Sequence, residues 1–282
     1  MQFTYLLSLV PIIAILLYFV FFYRPVRKHG RDPKKIMKAC NIIFAGTVRN
    51  VGPFIRKALR DIELCAQQFN DYAVVLYEND SSDETRSLLQ KHKKENYHYL
   101  FENDITEQTR TKRIARGRNT IMKKVRKLNS KNYYDYMIML DLDDVNYSGK
   151  FVRSIATCFE YENWDVLAAN QTGTYYDLWA LRKKDDMDHD CWLDVFQHPD
   201  ETDAVNKYVT SRLKHYPQQD NLLEVDSAFG GAAIYRLKSI PKHCKYVGCY
   251  SDGTQKCEHV EFNECIKKNG GRIFINTRFL TS

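Results

Sequence analysis

The residues with the clearest chemistry are three acids in four positions. Asp141-Leu-Asp143-Asp144 follows directly on the apolar run Tyr136-Met-Ile-Met-Leu140. A buried strand that ends in clustered carboxylates is costly unless something neutralises them. A divalent cation does so, and hard carboxylate oxygens suit Mn²⁺ or Mg²⁺. Asp141 and Asp143 point the same way on an extended chain. The pair is therefore a candidate to hold a metal against the two phosphates of a nucleoside diphosphate. The competing reading is a solvated turn whose acids cap a helix starting near Ser148.

Ligands of open α/β sheets bind beyond the carboxyl ends of the strands, so the segment after each apolar run carries weight. Glu78-Asn79-Asp80-Ser81-Ser82-Asp83 follows the run at 72–77. Glu78 and Asp80 are candidates to accept from a nucleobase or from ribose hydroxyls, whereas Ser81 and Glu84 also read as a simple capping box. Ala45-Gly46-Thr47-Val48-Arg49-Asn50 ends the first run and places Thr47 and Arg49 with the nucleotide. It lacks the GxGxxG fingerprint, which argues against dinucleotide binding. The stretch 110–127 holds nine bases and no acid. Such a run is usually a solvated helix face, but Arg113 and Arg118 are candidates to meet a pyrophosphate.

Further along, Tyr175-Tyr176-Asp177-Leu178-Trp179-Ala180-Leu181-Arg182 mixes aromatics with an acid and a base. It reads as core aromatics, or as a wall where a sugar stacks on Trp179 while Asp177 takes its hydroxyls. Gly230-Gly231 is either a tight bend or a place where a ligand passes close to the backbone. In Cys257-Glu258-His259, Glu258 sits near a helix start and His259 is a plausible third metal ligand. Cys244, Cys249, Cys257, His259 and Cys265 lack the CxxC pairs of structural zinc sites, so disulfides or buried thiols are the preferred reading.

Elements must bring these segments together. Short apolar runs near 41–46, 72–77, 97–101, 136–140 and 164–169 alternate with helical patterns at about 53–69, from 81, at 110–128 and at 148–161. That βα repetition predicts a mainly parallel sheet with helices on both faces. The stretch 172–226 is irregular apart from a helix near 203–215; a strand at 229–235, a helix at 260–268 and a strand at 272–276 follow. No repeat or flexible linker breaks residues 39–282, which read as one domain.

The chain has 282 residues, 44% hydrophobic and 27% charged, with a formal charge of +7. The composition is that of a globular protein, not a disordered one. The charge is local: residues 24–38 carry seven Lys or Arg against Asp32, and the domain beyond is nearly neutral. A nucleic-acid partner is therefore not expected. Residues 5–23 are nineteen uncharged, mostly apolar residues. As a helix they span about 28 Å, near the roughly 30 Å of a bilayer core. A retained single-pass anchor over residues 1–23, with a basic linker over 24–38, is preferred to a cleaved signal peptide. The positive-inside rule places the domain in the cytosol; the even count of eight cysteines points to an oxidising lumen.

Taken in order, these pieces resemble a glycosyltransferase of the GT-A fold. More narrowly, RNVGPFIRKAL, YENDSSDET, RIARGRN, DLDDVN, YYDLWALR, SAFGGAAIYR and CEHVEFN resemble the cryptococcal α-1,3-mannosyltransferase and capsule-associated protein family, over about residues 41–279. The resemblance implies a Rossmann-like sheet, a nucleotide-sugar donor such as GDP-mannose, a divalent metal, a glycan acceptor and a lumenal catalytic domain behind its membrane anchor. It assigns metal and diphosphate to Asp141 and Asp143, and the nucleoside to Glu78 and Asp80. Arg113 and Arg118 face the donor, and Asp177, Trp179 and Arg182 line the sugar and acceptor region. Glu258 and His259 correspond to the late motif, whose acid is the base in inverting members; the family name implies retention. One departure is that no His follows residue 259, where such enzymes often place a metal ligand. The rival functions are a membrane-tethered glycan-binding module and a sugar-phosphate nucleotidyltransferase.

Overall fold

A computed structural model describes residues 26–282. Eight strands form the central sheet: β1 (Asn41–Val48), β2 (Asp71–Asn79), β3 (Tyr97–Glu102), β4 (Tyr136–Leu140), β5 (Val166–Asn170), β6 (Leu223–Val225), β7 (Ala232–Arg236) and β8 (Ile273–Leu280). Their order across the sheet is β6-β8-β5-β7-β4-β1-β2-β3. The pairs β1–β2, β2–β3, β1–β4 and β5–β8 are parallel; β7 runs antiparallel to both β4 and β5, and β6 to β8. The mainly parallel sheet read from the sequence is present. β6 was not expected from the sequence: three residues are too few to show alternation.

The helices are α1 (Pro33–Lys38), α2 (Gly52–Ala66), α3 (Thr85–Lys91), α4 (Arg110–Leu128), α5 (Lys150–Ser154), α6 (Cys191–Phe196) and α7 (Glu258–Lys268). The central strands are buried on both faces, which is why they read as unbroken apolar runs. Ile43, Val75, Met137 and Met139 pack toward α4 and α7, against Ile121, Met122, Phe262 and Ile266. Their neighbours Ile42, Phe44, Val74, Leu76 and Ile138 face α2 and α3, against Ile55, Leu59, Ile62 and Leu89. The period-two alternation thus feeds two separate apolar layers.

Three helices depart from expectation. α3 begins at Thr85, not at Ser81, because Asp83 accepts from the Thr85 N–H at 2.9 Å while the Ser81 N–H turns back to Glu78 at 2.9 Å. The helix expected over 148–161 is α5 followed by a 3₁₀ segment over Ile155–Glu160. In place of the helix expected near 203–215 the chain makes short helical turns over 201–212 and a two-residue strand at Lys214–His215, and α6 before them was not expected.

The apolar stretch 5–23 lies outside the described residues, and no helix among those described is long and apolar enough to cross a membrane. Part of the basic linker is visible and docked. Arg27 pairs with Glu162, Lys28 lies 2.9 Å from Asp220, and Met37 of α1 is fully buried.

α4 sets the rear wall of the site. Straight-chain Arg and Lys are good helix formers, and Ala115, Ile121, Met122 and Val125 supply a buried stripe among them. Gly117 lets the helix press onto β1 and β2, since a Cβ there would stand 2.6 Å from the Tyr77 ring and 2.9 Å from the Thr47 methyl. Gly117→Val is expected to lower stability by about 1–3 kcal/mol through overpacking. Urea unfolding checks this, and an unchanged midpoint would show that the contact yields freely.

Candidate active site

The carboxyl ends of β1 and β2, the segment just after β4 and the first turns of α4 and α7 border a cleft of about 400 Å³. Thr47, Arg49, Arg113, Arg118, Asp141, Asp143, Asp177, Trp179, Glu258 and His259 all line it. Segments as far apart in sequence as Thr47 and His259 therefore meet in one place. Arg110, Tyr77, Asn79, Tyr176 and Phe229 also line it and were not singled out from the sequence. Arg110 belonged to the basic run, but nothing in its spacing distinguished it from the outward bases.

Asp141 stands where β4 ends. Its backbone N–H donates to the Gly231 carbonyl at 2.9 Å, and Asn146 donates to the carbonyls of both Asp141 and Gly231, at 2.7 and 2.8 Å. Burial pushes its carboxyl up to about 7; Arg118 opposes that rise, and Asp143, Asp177 and Glu258 add to it. Burial also raises Asp143, whose Oδ1 accepts from the Val145 N–H at 3.2 Å and caps the turn. Two crowded carboxylates with raised pKa are short of positive charge. Their hard oxygens fit Mn²⁺ or Mg²⁺.

His259 is a correction to the ligand set. Its Nε2 faces the Arg118 guanidinium, which donates to it, and its buried Nδ1 finds no partner among the described residues. The ring stacks on Phe229 with centroids 3.8 Å apart. Burial and Arg118 hold it well below the usual histidine range. Its Nε2 is turned to Arg118, and among the described residues His259 does not bring a ligand atom within 4.8 Å of those of both Asp141 and Asp143. The only cluster of three potential ligands among the described residues is His243, Cys244 and Cys265. Its two sulfurs form a disulfide, the outcome preferred over zinc; the other six cysteines are free.

Arg118 is a buried hub. It pairs with Glu258 and lies 3.2 Å from Asp141, with both Arg118 and Glu258 side chains under 10% exposed. A guanidinium so engaged is less available to a donor than the sequence suggested. Arg113 is anchored at its own helix start, donating to the Glu107 carbonyl at 2.9 Å and to that of Gln108, and it still faces the cleft.

Asp177 takes the Gly230 N–H at 2.9 Å on one oxygen and the Ala180 N–H at 3.4 Å on the other. Burial raises its carboxyl. Gly230 and Gly231 both have positive φ. A Cβ on Gly230 would lie 2.4 Å from the Ala169 carbonyl oxygen. The turn thus positions Asp141 and Asp177 through its backbone and does not itself border the cleft.

Three further candidates stand apart from the cleft. Glu78 is fully buried and paired with Arg86. Asp80, at φ 49°, accepts from the N–H groups of Asp104 and Ile105 at 2.8 and 3.2 Å and shapes a loop. Arg182 pairs with Asp190 at 3.0 Å, and both side chains are buried. Each has a strong local partner, and spacing alone does not reveal partners.

A family model described as Glycosyl transferase family 2 matches residues 47–240. No curated protein matches the chain. Among solved structures, the chain is similar to a mannosyltransferase from Pyrobaculum calidifontis in complex with GDP-Man and Mn²⁺. The TM-score is 0.50 at 11% identity, covering 96% of this chain and 63% of that one. It is also similar to TarS from S. aureus, with TM-score 0.45, 13% identity, and 83% and 57% coverage. A third is glucosyl-3-phosphoglycerate synthase from Mycobacterium tuberculosis with Mn²⁺, UDP and phosphoglyceric acid, with TM-score 0.39, 10% identity, and 78% and 63% coverage. The chain spans about three fifths of the length of these solved chains. The family match takes in the ends of β1, β2 and β4, both acids of the Asp141–Asp143 pair and all of β7, and on it the chain, with its GT-A fold, belongs to glycosyl transferase family 2.

Proposed function

We propose that the chain transfers a hexosyl group from a nucleotide-sugar donor to a glycan acceptor with the help of Mn²⁺ or Mg²⁺. The observation that carries this is the pair Asp141 and Asp143, both with raised carboxyls, facing Arg110 and Arg113 across one cleft. Mannose from GDP-mannose is the donor placed first, on the resemblance of seven ordered motifs to the cryptococcal mannosyltransferases. The fold likeness to an enzyme solved with GDP-Man and Mn²⁺ is compatible with that choice.

The roles follow from position. Thr47, Arg49, Tyr77 and Asn79 lie at the β1–β2 end of the cleft and receive the nucleoside. Arg110 and Arg113 neutralise phosphate oxygens. Asp141 and Asp143 would hold the cation, which when bound stabilises charge on the departing diphosphate. Asp177 forms no ion pair among the described residues and has a raised carboxyl, which suits it to take the proton of the acceptor hydroxyl. Glu258, paired to Arg118, contributes negative charge beside the developing cationic sugar. The catalytic domain is placed in the lumen behind a single-pass anchor, a reading supported by the apolar run and by the Cys244–Cys265 disulfide.

Calorimetric titration of the protein with GDP-mannose, UDP-glucose and UDP-galactose, each with Mn²⁺ and with EDTA, tests the reading. One donor is expected to bind with Mn²⁺ and not with EDTA. Failure of all three on folded protein would favour the glycan-binding module.

A further inference from the structure

We propose that Tyr250 is a positioning residue for sugar transfer: through Asp190 and Arg182 its hydroxyl clasps the segment leading into Glu258 to the turn that carries Asp177, and so fixes these two carboxylates relative to each other. This rests on the transferase reading above. The Tyr250 hydroxyl donates to Asp190 Oδ2 at 2.9 Å, and the Arg182 guanidinium lies 3.0 Å from the same oxygen. Through its other terminal nitrogen Arg182 donates to the carbonyls of Trp179 and Leu181, at 3.1 and 2.7 Å. Its backbone N–H donates to the Ser227 carbonyl at 2.8 Å, and its own carbonyl accepts from the Ser227 N–H at 3.1 Å. The turn 177–182 is therefore held at both ends, by Gly230 at Asp177 and by Ser227 at Arg182.

Tyr250 belongs to a short hairpin in which Cys249 bridges Gln255 and the Tyr250 N–H donates to the Thr254 carbonyl at 2.8 Å. At its base the Lys256 N–H donates to the Gly248 carbonyl at 3.3 Å, and that carbonyl also accepts from the Thr111 hydroxyl at 2.6 Å, in the first turn of α4. The next three residues, Cys257, Glu258 and His259, line the cleft. The hairpin is thus fixed to α4 at its base, and Tyr250 ties it to the Asp177 turn. Stability alone does not account for the cluster, because the desolvation of a buried ion pair offsets much of its attraction. What a satisfied buried network supplies is one arrangement in place of several. Transfer needs that, since a misplacement of about 1 Å can lower a rate by about a hundredfold.

The test compares the full chain with Tyr250→Phe, which removes only the hydroxyl and keeps the ring beside the Lys256 ammonium, 5.2 Å from its centroid. Hydrogen exchange reads the turn 177–182. Calorimetry with Mn²⁺ and GDP-mannose, UDP-glucose or UDP-galactose reads donor binding. Release of nucleoside diphosphate, to water and to methyl α-mannopyranoside as acceptor probe, reads turnover. The variant is expected to keep the parent's melting temperature and donor Kd, to exchange about tenfold faster over 177–182, and to turn over about tenfold more slowly. Turnover at the parent rate would overturn the positioning role. So would unchanged exchange over 177–182, or a loss of donor affinity that matches the loss of rate. A parent that binds none of the donors would instead overturn the transferase reading, and faster exchange over 177–182 in the variant would still show the clasp.

Discussion

Exchanging Asp143 for Asn is expected to abolish Mn²⁺-dependent donor binding and to lower sugar transfer by about a thousandfold or more. The fold should survive. Asn keeps an oxygen for the Val145 N–H that Asp143 now accepts, and it removes a carboxylate whose burial is unfavourable. Its melting temperature without metal should therefore equal or exceed that of the parent. Transfer at the parent rate would sink the metal assignment. Asp141 adds a pH signature. Its folded carboxyl is raised to about 7, against about 3.9 for a free aspartate. The folded state then holds a proton that the unfolded chain has released, so metal-free stability is full below about pH 4 and falls as pH rises toward 7. Mn²⁺ binds the ionised form. The rise in melting temperature on adding Mn²⁺ should grow between pH 5 and 7.5, and a pH-independent rise would count against Asp141 as a ligand.

What the sequence revealed here follows from range. The ends of β4 and α4 were legible because a fully buried strand and a strongly basic amphipathic helix have unmistakable patterns over five and nineteen residues. Asp141, Asp143 and Asp177 were legible because acids beside apolar runs demand a reason to be there. The partners of these groups were not. Arg118 looked like a phosphate ligand until Glu258, 140 positions later, was seen to occupy it. Arg182 looked like part of a sugar wall because Asp190, its buried partner, lies in the stretch where no periodicity shows. His259 looked like a ligand by residue type, and its facing Arg118, 141 positions earlier, does not show in the sequence.

Arg118 also carries the other large expected effect. Arg118→Met leaves the buried Glu258 carboxylate without a counter-charge and deprives Asp141 of its nearest positive group. Removing one partner of a buried ion pair costs about 3–5 kcal/mol. At about 2–4 °C per kcal/mol for a domain of this size, the melting temperature should drop by roughly 10 °C. Transfer should vanish as well, because Asp141 then ionises less readily and holds a cation less tightly. Stability and function separate in the double variant. Arg118→Met with Glu258→Gln contains no unpaired buried charge at these positions, so much of the lost stability should return. Activity should not return, since Asp141 is still without its arginine and the sugar site without its carboxylate. Recovery of both in the double variant would show that the pair serves only the fold. Recovery of stability alone would place Arg118 as the group that positions Glu258 and favours the ionised form of Asp141.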